Sequence, residues 1–283
     1  MEIIRYDETV ATISTRGATV LSLRLSGKNI FKPITDRYVT HGGMSTLIPF
    51  ADIIKNASYE WLGQRYYLPK NAKYEGNMGD SIHGLVKSSI FQIDKKENNS
   101  ISLSYKLTHR GYPSTISIKV IYTINVNSLS TEYKIKNLGK IDTPIMCGAH
   151  PYFLHNGSWK IITGNNTSHI SLFEQGIPIF EEYKVGYFSN NHNRIYDDTY
   201  YSDGDIKFIT GNTEIVLKRI NMPFFEIYNG IFAGENSVAI EPLTGIPNNF
   251  NHKCKIDILP PCVEKNFSFI IYINDEDRNV ISV

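Results

Sequence analysis

Apolar side chains recur at every second position over long stretches of this chain, and that spacing constrains its fold more than any other feature. Ile101, Leu103, Tyr105 and Leu107 share one face of an extended segment, as do Ile116, Ile118, Val120, Tyr122 and Ile124 in the next. Successive side chains of a strand point to opposite faces, so each segment is expected to be a strand with one buried face. Residues 131–137 continue the pattern, with Tyr133 and Ile135 inward and lysines outward. Asn98-Asn99 and Asn125-Val126-Asn127 supply turn residues, which makes an antiparallel meander the natural connection. Asp203-Gly204, Gly211-Asn212 and Asn229-Gly230 separate further short runs at 205–209, 214–217 and 224–228. No convincing amphipathic helix appears, there is no βαβ alternation, and no Pro/Gly/Ser linker breaks the composition. The expectation is an all-β chain with few short helices, a single domain over 1–283 built as one large antiparallel β-sandwich. Residues 32–84 interrupt the regularity with glycines and polar residues. Long excursions of that type on a β scaffold tend to carry function, and this one is expected to build one wall of a cleft.

The chain has 283 residues, 12% of them aromatic, enough to bury a sizeable core. Its 29 basic and 28 acidic side chains leave a formal charge of +1 and are mixed along the length. No electrostatic footprint for a nucleic acid or an anionic membrane is present. Met1 to Asp7 carry charges inside their apolar run, and nothing later approaches the roughly 18 uninterrupted apolar residues that a membrane span needs. A soluble cytoplasmic protein is expected. Cys147, Cys254 and Cys262 are odd in number and lack CxxC or His/Cys ligand spacing, so neither a disulfide framework nor a zinc site is signalled. Cys147 lies three residues from His150, which invites a nucleophile reading, but a small apolar residue on a buried strand is the plainer one.

Three islands carry the candidate chemistry. In Cys147-Gly148-Ala149-His150-Pro151-Tyr152-Phe153 an imidazole stands between small residues and a Pro-aromatic platform. Pro151 forbids the next ladder hydrogen bond, so His150 is expected at a strand terminus facing a cleft, with Gly148 permitting close approach and Tyr152 offering stacking surface. The alternative is a buried histidine satisfied by a backbone carbonyl. His83-Gly84 reads as a loop entering the strand of Leu85-Val86. Glu241, after Val238-Ala239-Ile240 and before Pro242, is a carboxylate at the end of a buried strand, where desolvation raises its pKa toward the range of a general base. A structural ion pair with Lys or Arg is the alternative there. Asp197-Asp198-Thr199-Tyr200 is either a hydroxyl-binding carboxylate or an acidic turn facing solvent. His41, His109, His155, His169, His192 and His252 default to surface residues.

Taken in order, these islands resemble the aldose 1-epimerases, or galactose mutarotase-like proteins, over most of the chain. The stretch from Pro49 to Leu68 is similar to that family's P-x-x-N-R-I segment and the Gly/Tyr pattern after it. Asn71 and His83-Gly84 fall where the family has its Asn and His-Gly signature, His150-Pro151-Tyr152-Phe153 resembles its second histidine motif, and Glu241-Pro242 with Pro247 and Asn251 resembles its E-P…P…N motif. The resemblance implies a galactose mutarotase-like supersandwich that binds a monosaccharide without a metal or other cofactor. It implies Glu241 as base, His150 as acid, His83 as hydrogen-bond donor to a sugar oxygen, and Asp197, Asn71 and Tyr152 as substrate contacts. The reaction implied is ring opening of a free aldose to its aldehyde, rotation about C1–C2, and reclosure to the other anomer.

One departure bears on substrate. Where many members of that family have Asn-Arg, this chain has Asp52-Ile53, so a fork of donors is replaced by an apolar side chain. That replacement favours, as an alternative, a non-catalytic carbohydrate-binding protein on the same fold. An epimerase of a hexose 6-phosphate is a further alternative, although no Arg cluster for a phosphate is evident. A glycoside hydrolase or lyase on a similar sandwich ranks last, because hydrolysis ordinarily wants two carboxylates flanking the bond and Glu241 alone is well placed.

Overall fold

The computed structural model describes residues 1–74, 77–164, 166–172, 178–183, 186–190 and 194–274. Among them, two large antiparallel sheets of eleven and nine strands dominate, and helix is confined to short turns such as Asn249–His252. The nine-stranded sheet is the one the alternation announces. Its centre is Ser100–Leu107, Ile116–Ile124 and Ser128–Asn137, followed by Glu264–Ile273 and Thr213–Ile220. Ile116, Ile118, Val120, Tyr122 and Ile124 are all fully buried, while the residues between them are half-exposed.

In the eleven-stranded sheet, Thr19–Leu25, Met44–Leu47, Gly148–Leu154, Ser237–Leu243, Phe224–Tyr228 and Asp197–Ser202 lie side by side. The sheets face each other across the core. Tyr122 donates its hydroxyl to the Ala18 carbonyl at 2.6 Å, and the Phe153 ring lies 5.6 Å from that of Phe208. Ala149 pairs with Thr46, whose hydroxyl is 3.4 Å from that of Tyr122. Ala149 and Phe153 therefore point into the sandwich, and the intervening His150 and Tyr152 point out of it.

The strand of His150 differs from expectation. His150 does not end a strand; it is the third residue of Gly148–Leu154, in the interior of the larger sheet. Glu241 likewise lies inside Ser237–Leu243, with Pro242 within the strand. Proline is tolerated there because the pairing of the two strands is interrupted between Gly148↔Leu243 and Tyr152↔Ala239, and Pro151 and Pro242 both fall in that gap. Just before it in the chain, Thr143–Ile145 is a separate strand that pairs with Asp257–Leu259.

Within residues 32–84, Met44–Leu47 is itself a strand of the larger sheet, and the described part that follows it lies over that sheet's outward face, where His83 meets His150. Ile53-Ile54 pairs with Ser81-Ile82, and Phe250 packs edge-on against Phe50 and Tyr59 at 5.9 and 5.0 Å between ring centres. Roofed in this way, the face opposite the core is buried as well: Gly148 to Phe153 are all buried. Among the described residues no helix is long and apolar enough to cross a membrane.

Phe153 is fully buried between the sheets, and truncation leaves a cavity that a close-packed core fills only partly. Phe153→Ala is expected to lower stability by about 3–5 kcal/mol, read as a drop in urea midpoint at unchanged m-value.

Candidate active site

Antiparallel pairing puts directly opposed residues on the same face. Ser45 pairs with His150, and Glu226 pairs with both Glu241 and Thr199. The register on either side of the gap sets His150 opposite Glu241. Ser45, His150, Glu241, Glu226 and Thr199 thus form one row across five strands, and Tyr152, Ala239, Tyr228 and Asp197 form the next.

His150 Nε2 lies 3.2 Å from Glu241 Oε1, and both side chains are buried. At that distance a proton can pass from one to the other. Burial in a low dielectric disfavours charge, so the Glu241 carboxyl is held well above its usual range, with the charges of Asp52 and Asp197 adding to the effect. Burial pushes the imidazole of His150 the other way, down to about 3, aided by His41. The second oxygen of Glu241 and Nδ1 of His150 are buried without a hydrogen-bond partner. Such atoms are costly unless a ligand or water satisfies them.

His83 meets this pair edge-on, its ring centre 5.1 Å from that of His150 and steeply inclined at 80°. Two backbone features hold it. His83 N–H donates to the Asp52 carbonyl at 2.9 Å, and His83 and Gly84 both have positive φ, 58° and 74°. A Cβ on Gly84 would lie 2.3 Å from the Ile48 carbonyl oxygen, so only glycine fits there. Burial and the charges of His150, Lys87 and His41 keep the His83 imidazole neutral. Asn71 is exposed; its side-chain oxygen accepts from Ile82 N–H at 2.8 Å and its own N–H donates to the Asp80 carbonyl at 3.0 Å, which ties down the chain leading into His83.

On the far side of His150 stands Tyr152, stacked on it at 4.7 Å and 16°. Lys32 Nζ sits over the Tyr152 ring at 5.5 Å and donates to the Phe232 carbonyl, while His41 stacks on Phe232 at 3.9 Å. These residues form the rim, and they come from the excursion and from the loop after Tyr228.

The register also separates the two aspartates. Asp197 shares a row with Tyr152 on the outward face, whereas Asp198 points the other way, to His169, Arg194 and the Tyr200 hydroxyl. The acidic stretch is a strand, not a turn. Among the other histidines, His155 is buried at 8% exposure, His41, His109, His169 and His252 are half-buried, and His192 lies outside the described residues. Cys147 is buried and its thiol is pushed up by burial, which suits the plain packing role.

Sequence reasoning passed over Glu226 and gave Asp52 no role. Glu226 is a buried carboxyl beside Glu241, raised well above its usual range by burial and by Asp52, Glu241 and Asp197. Its signal was a lone charge in the apolar run Phe224-Phe225-Glu226-Ile227-Tyr228. Asp52 is pushed up to about 7 by burial and by the charge of Asp197. Ile53 is half-buried, and the nearby cations Lys55 and Arg65 are both exposed. Four carboxyls thus converge with two neutral imidazoles, an arrangement able to give and take protons at a polar ligand.

The aldose 1-epimerase family model matches residues 2–255. The Escherichia coli (strain K12) protein YihR is 33% identical over 150 residues, 52% of this chain and 47% of YihR, so the chain spans about half the length of that relative. A galactose mutarotase-like protein from Clostridium acetobutylicum superposes with a TM-score of 0.80 at 16% identity, covering 96% of this chain and 94% of that one. The GalM/aldose epimerase homologue from C. elegans does so at 0.79 and 16%, covering 96% and 98%. At these identities the two structures speak for the fold.

The raised Asp52 value means that the folded state holds this proton more tightly than the unfolded chain. Its stabilising contribution is full below about pH 4 and is lost as pH rises toward 7. His150 acts in the opposite sense, its contribution present above about 6.5 and lost as pH falls toward 3. Asp52→Asn is therefore expected to raise Tm by about 2–4 °C near pH 8 and to leave it little changed near pH 4, by scanning fluorimetry.

Proposed function

The chain belongs to the aldose 1-epimerase family, and from that membership and the geometry of its cleft we propose that it interconverts the α and β anomers of a free aldose by acid–base catalysis without a cofactor. The observation that carries the reading is the buried contact of His150 Nε2 with Glu241 Oε1 at 3.2 Å. A proton that can pass between an imidazole and a carboxyl is what a reaction needs when it must give a proton to one oxygen and take one from its neighbour.

In the reactive form the proton is on His150 and Glu241 is ionised. Burial alone favours the neutral pair, so a sugar hydroxyl donating to the unpartnered Oε2 of Glu241 tips the balance toward the carboxylate. Glu241 then takes the proton of the anomeric hydroxyl as His150 protonates the ring oxygen, and the C1–O5 bond opens to the aldehyde. Rotation about C1–C2 presents the other carbonyl face. On reclosure Glu241 returns its proton to the new anomeric oxygen and His150 recovers the one it gave, so the pair ends as it began. His83, neutral and edge-on, donates to a sugar oxygen on which charge develops. Tyr152 offers a flat apolar wall, Asp197 accepts from hydroxyls, and Asn71 acts through the chain that holds His83.

A non-catalytic carbohydrate-binding protein on the same fold is the second reading, favoured by the apolar Ile53 where many family members carry arginine. The free thiols Cys147, Cys254 and Cys262 suit a reducing compartment such as the cytoplasm.

Polarimetry on freshly dissolved α-glucose and α-galactose tests the proposal. Glu241→Gln and His150→Asn are each expected to reduce the acceleration by about 10²–10⁴-fold with the fold intact by circular dichroism, and His83→Asn by less. Full activity in either of the first two variants overturns the assignment of roles, and sugar binding without acceleration by the unaltered protein selects the second reading. The pair's single proton predicts a bell-shaped pH profile whose acid limb lies below the ordinary imidazole value of 6.5, because His150 is shifted down.

A further inference from the structure

The active-site row does not stop at the base. Next to Glu241, one strand further from His150, stands Glu226, 6% exposed, and diagonal to it stands Asp197. Asp197 and Glu226 stand on the same face of neighbouring strands, and two carboxyls that share a site do not readily ionise together, so the pair favours a single negative charge. Thr199 Oγ1 is 3.5 Å from Glu226 Oε2. Among the described residues, no ion pair joins Asp52, Asp197 or Glu226 to a lysine or arginine: Arg194 is turned to Asp198, and Lys87 Nζ and Lys32 Nζ are held by the Ile82 and Phe232 carbonyls. Nor are these carboxyls grouped so as to hold a metal ion. Beside them the second oxygen of Glu241, a side chain 1% exposed, has no partner.

On the reading proposed above, His150 addresses the ring oxygen and Glu241 the hydroxyl on C1. The ring atom on the other side of C1 is C2. Neighbouring strands are about 4.8 Å apart, and side chains converging from them reach substituents on adjacent ring atoms. Glu226 and Asp197 therefore face the substituent on C2. A hydroxyl brings a single proton to this position and no charge. An ammonium group brings three donors and a positive charge to set against the pair, and charge-assisted hydrogen bonds to carboxylates are the stronger kind, the more so at the buried Glu226.

We propose that Glu226 and Asp197 seat a protonated amino group on C2, and that the site prefers a 2-amino-2-deoxyaldose to the corresponding neutral hexose. The proposal rests on the mutarotase reading but is separable from it.

Anomerisation of α-glucosamine, α-glucose and α-N-acetylglucosamine is measured side by side near pH 6, where the amine of glucosamine is protonated, together with binding of each by calorimetry. The expected result is a kcat/KM for glucosamine about tenfold or more above that for glucose, the discrimination of one charged hydrogen bond, with the uncharged N-acetyl sugar no better than glucose. In Glu226→Gln, which keeps shape and loses charge, the ratio of glucosamine to glucose is expected to fall at least about tenfold. Asp197→Asn, with thermal unfolding as a check on the fold, is expected to move it the same way. Glucose turned over as well as or better than glucosamine, or a ratio unmoved in both variants, overturns the amino seat and leaves the mutarotase reading standing. Preferential glucosamine binding without acceleration of any sugar supports the seat and overturns the mutarotase reading; neither binding nor acceleration overturns both.

Discussion

Strand alternation ties the site to the core so closely that neither can shift without the other. In Gly148–Leu154, Ala149 and Phe153 fill the space between the sheets, and His150 and Tyr152 are the residues between and beside them. A slip of one position in register would turn the imidazole into the core and a phenyl ring into the cleft. The same holds for Ser237–Leu243, where Glu241 alternates with Ile240. The packing energy of the sandwich is thus what keeps a histidine and a glutamate opposite each other, and no dedicated scaffold is needed for the pair.

Electrostatics follow from the roof. A sheet face open to water would leave these carboxyls with ordinary acidities. Covered by the chain that carries Asp52 and His83, the same groups resist charge: acids are pushed up and imidazoles down, in each case chiefly by burial. A hollow with several acids and, among the described residues, no guanidinium paired to Asp52, Asp197, Glu226 or Glu241 therefore holds protons, and the first ligand to enter finds donors and acceptors that have not been satisfied by protein.

The sequence announced what repeats and what stands out. Ile116 to Ile124 spelled out a strand and its buried face, and the glycine after His83 and the apolar run before Glu241 marked both side chains as unusual. It was misleading where local rules met a larger context. Pro151 read as the end of a strand because a proline interrupts a ladder, yet the ladder was already interrupted there by Pro242 on the neighbouring strand. Glu226 was passed over because one strand at a time gives no sign of which residue lies across from which; its meaning comes from the pairing with Glu241, a relation over fifteen residues of chain that no local pattern encodes. Asp52 stood out only with Ile53, as a departure from the family pattern; its raised pKa depends on burial and on Asp197, a charge distant in the chain that no local pattern reveals.

The two prolines in that gap have a stereochemical consequence. An imino acid has a fixed φ and no amide hydrogen, so on either side of the proton-sharing pair the backbone carries no rung that thermal fraying opens or a neighbouring strand captures. The interval between donor and acceptor is written into chain stiffness instead of into a network of exchangeable bonds. An ordinary amino acid at position 151 or 242 would bring an amide hydrogen back beside the pair. The chemistry of this cleft is in that sense guarded by two residues that carry no titratable group at all.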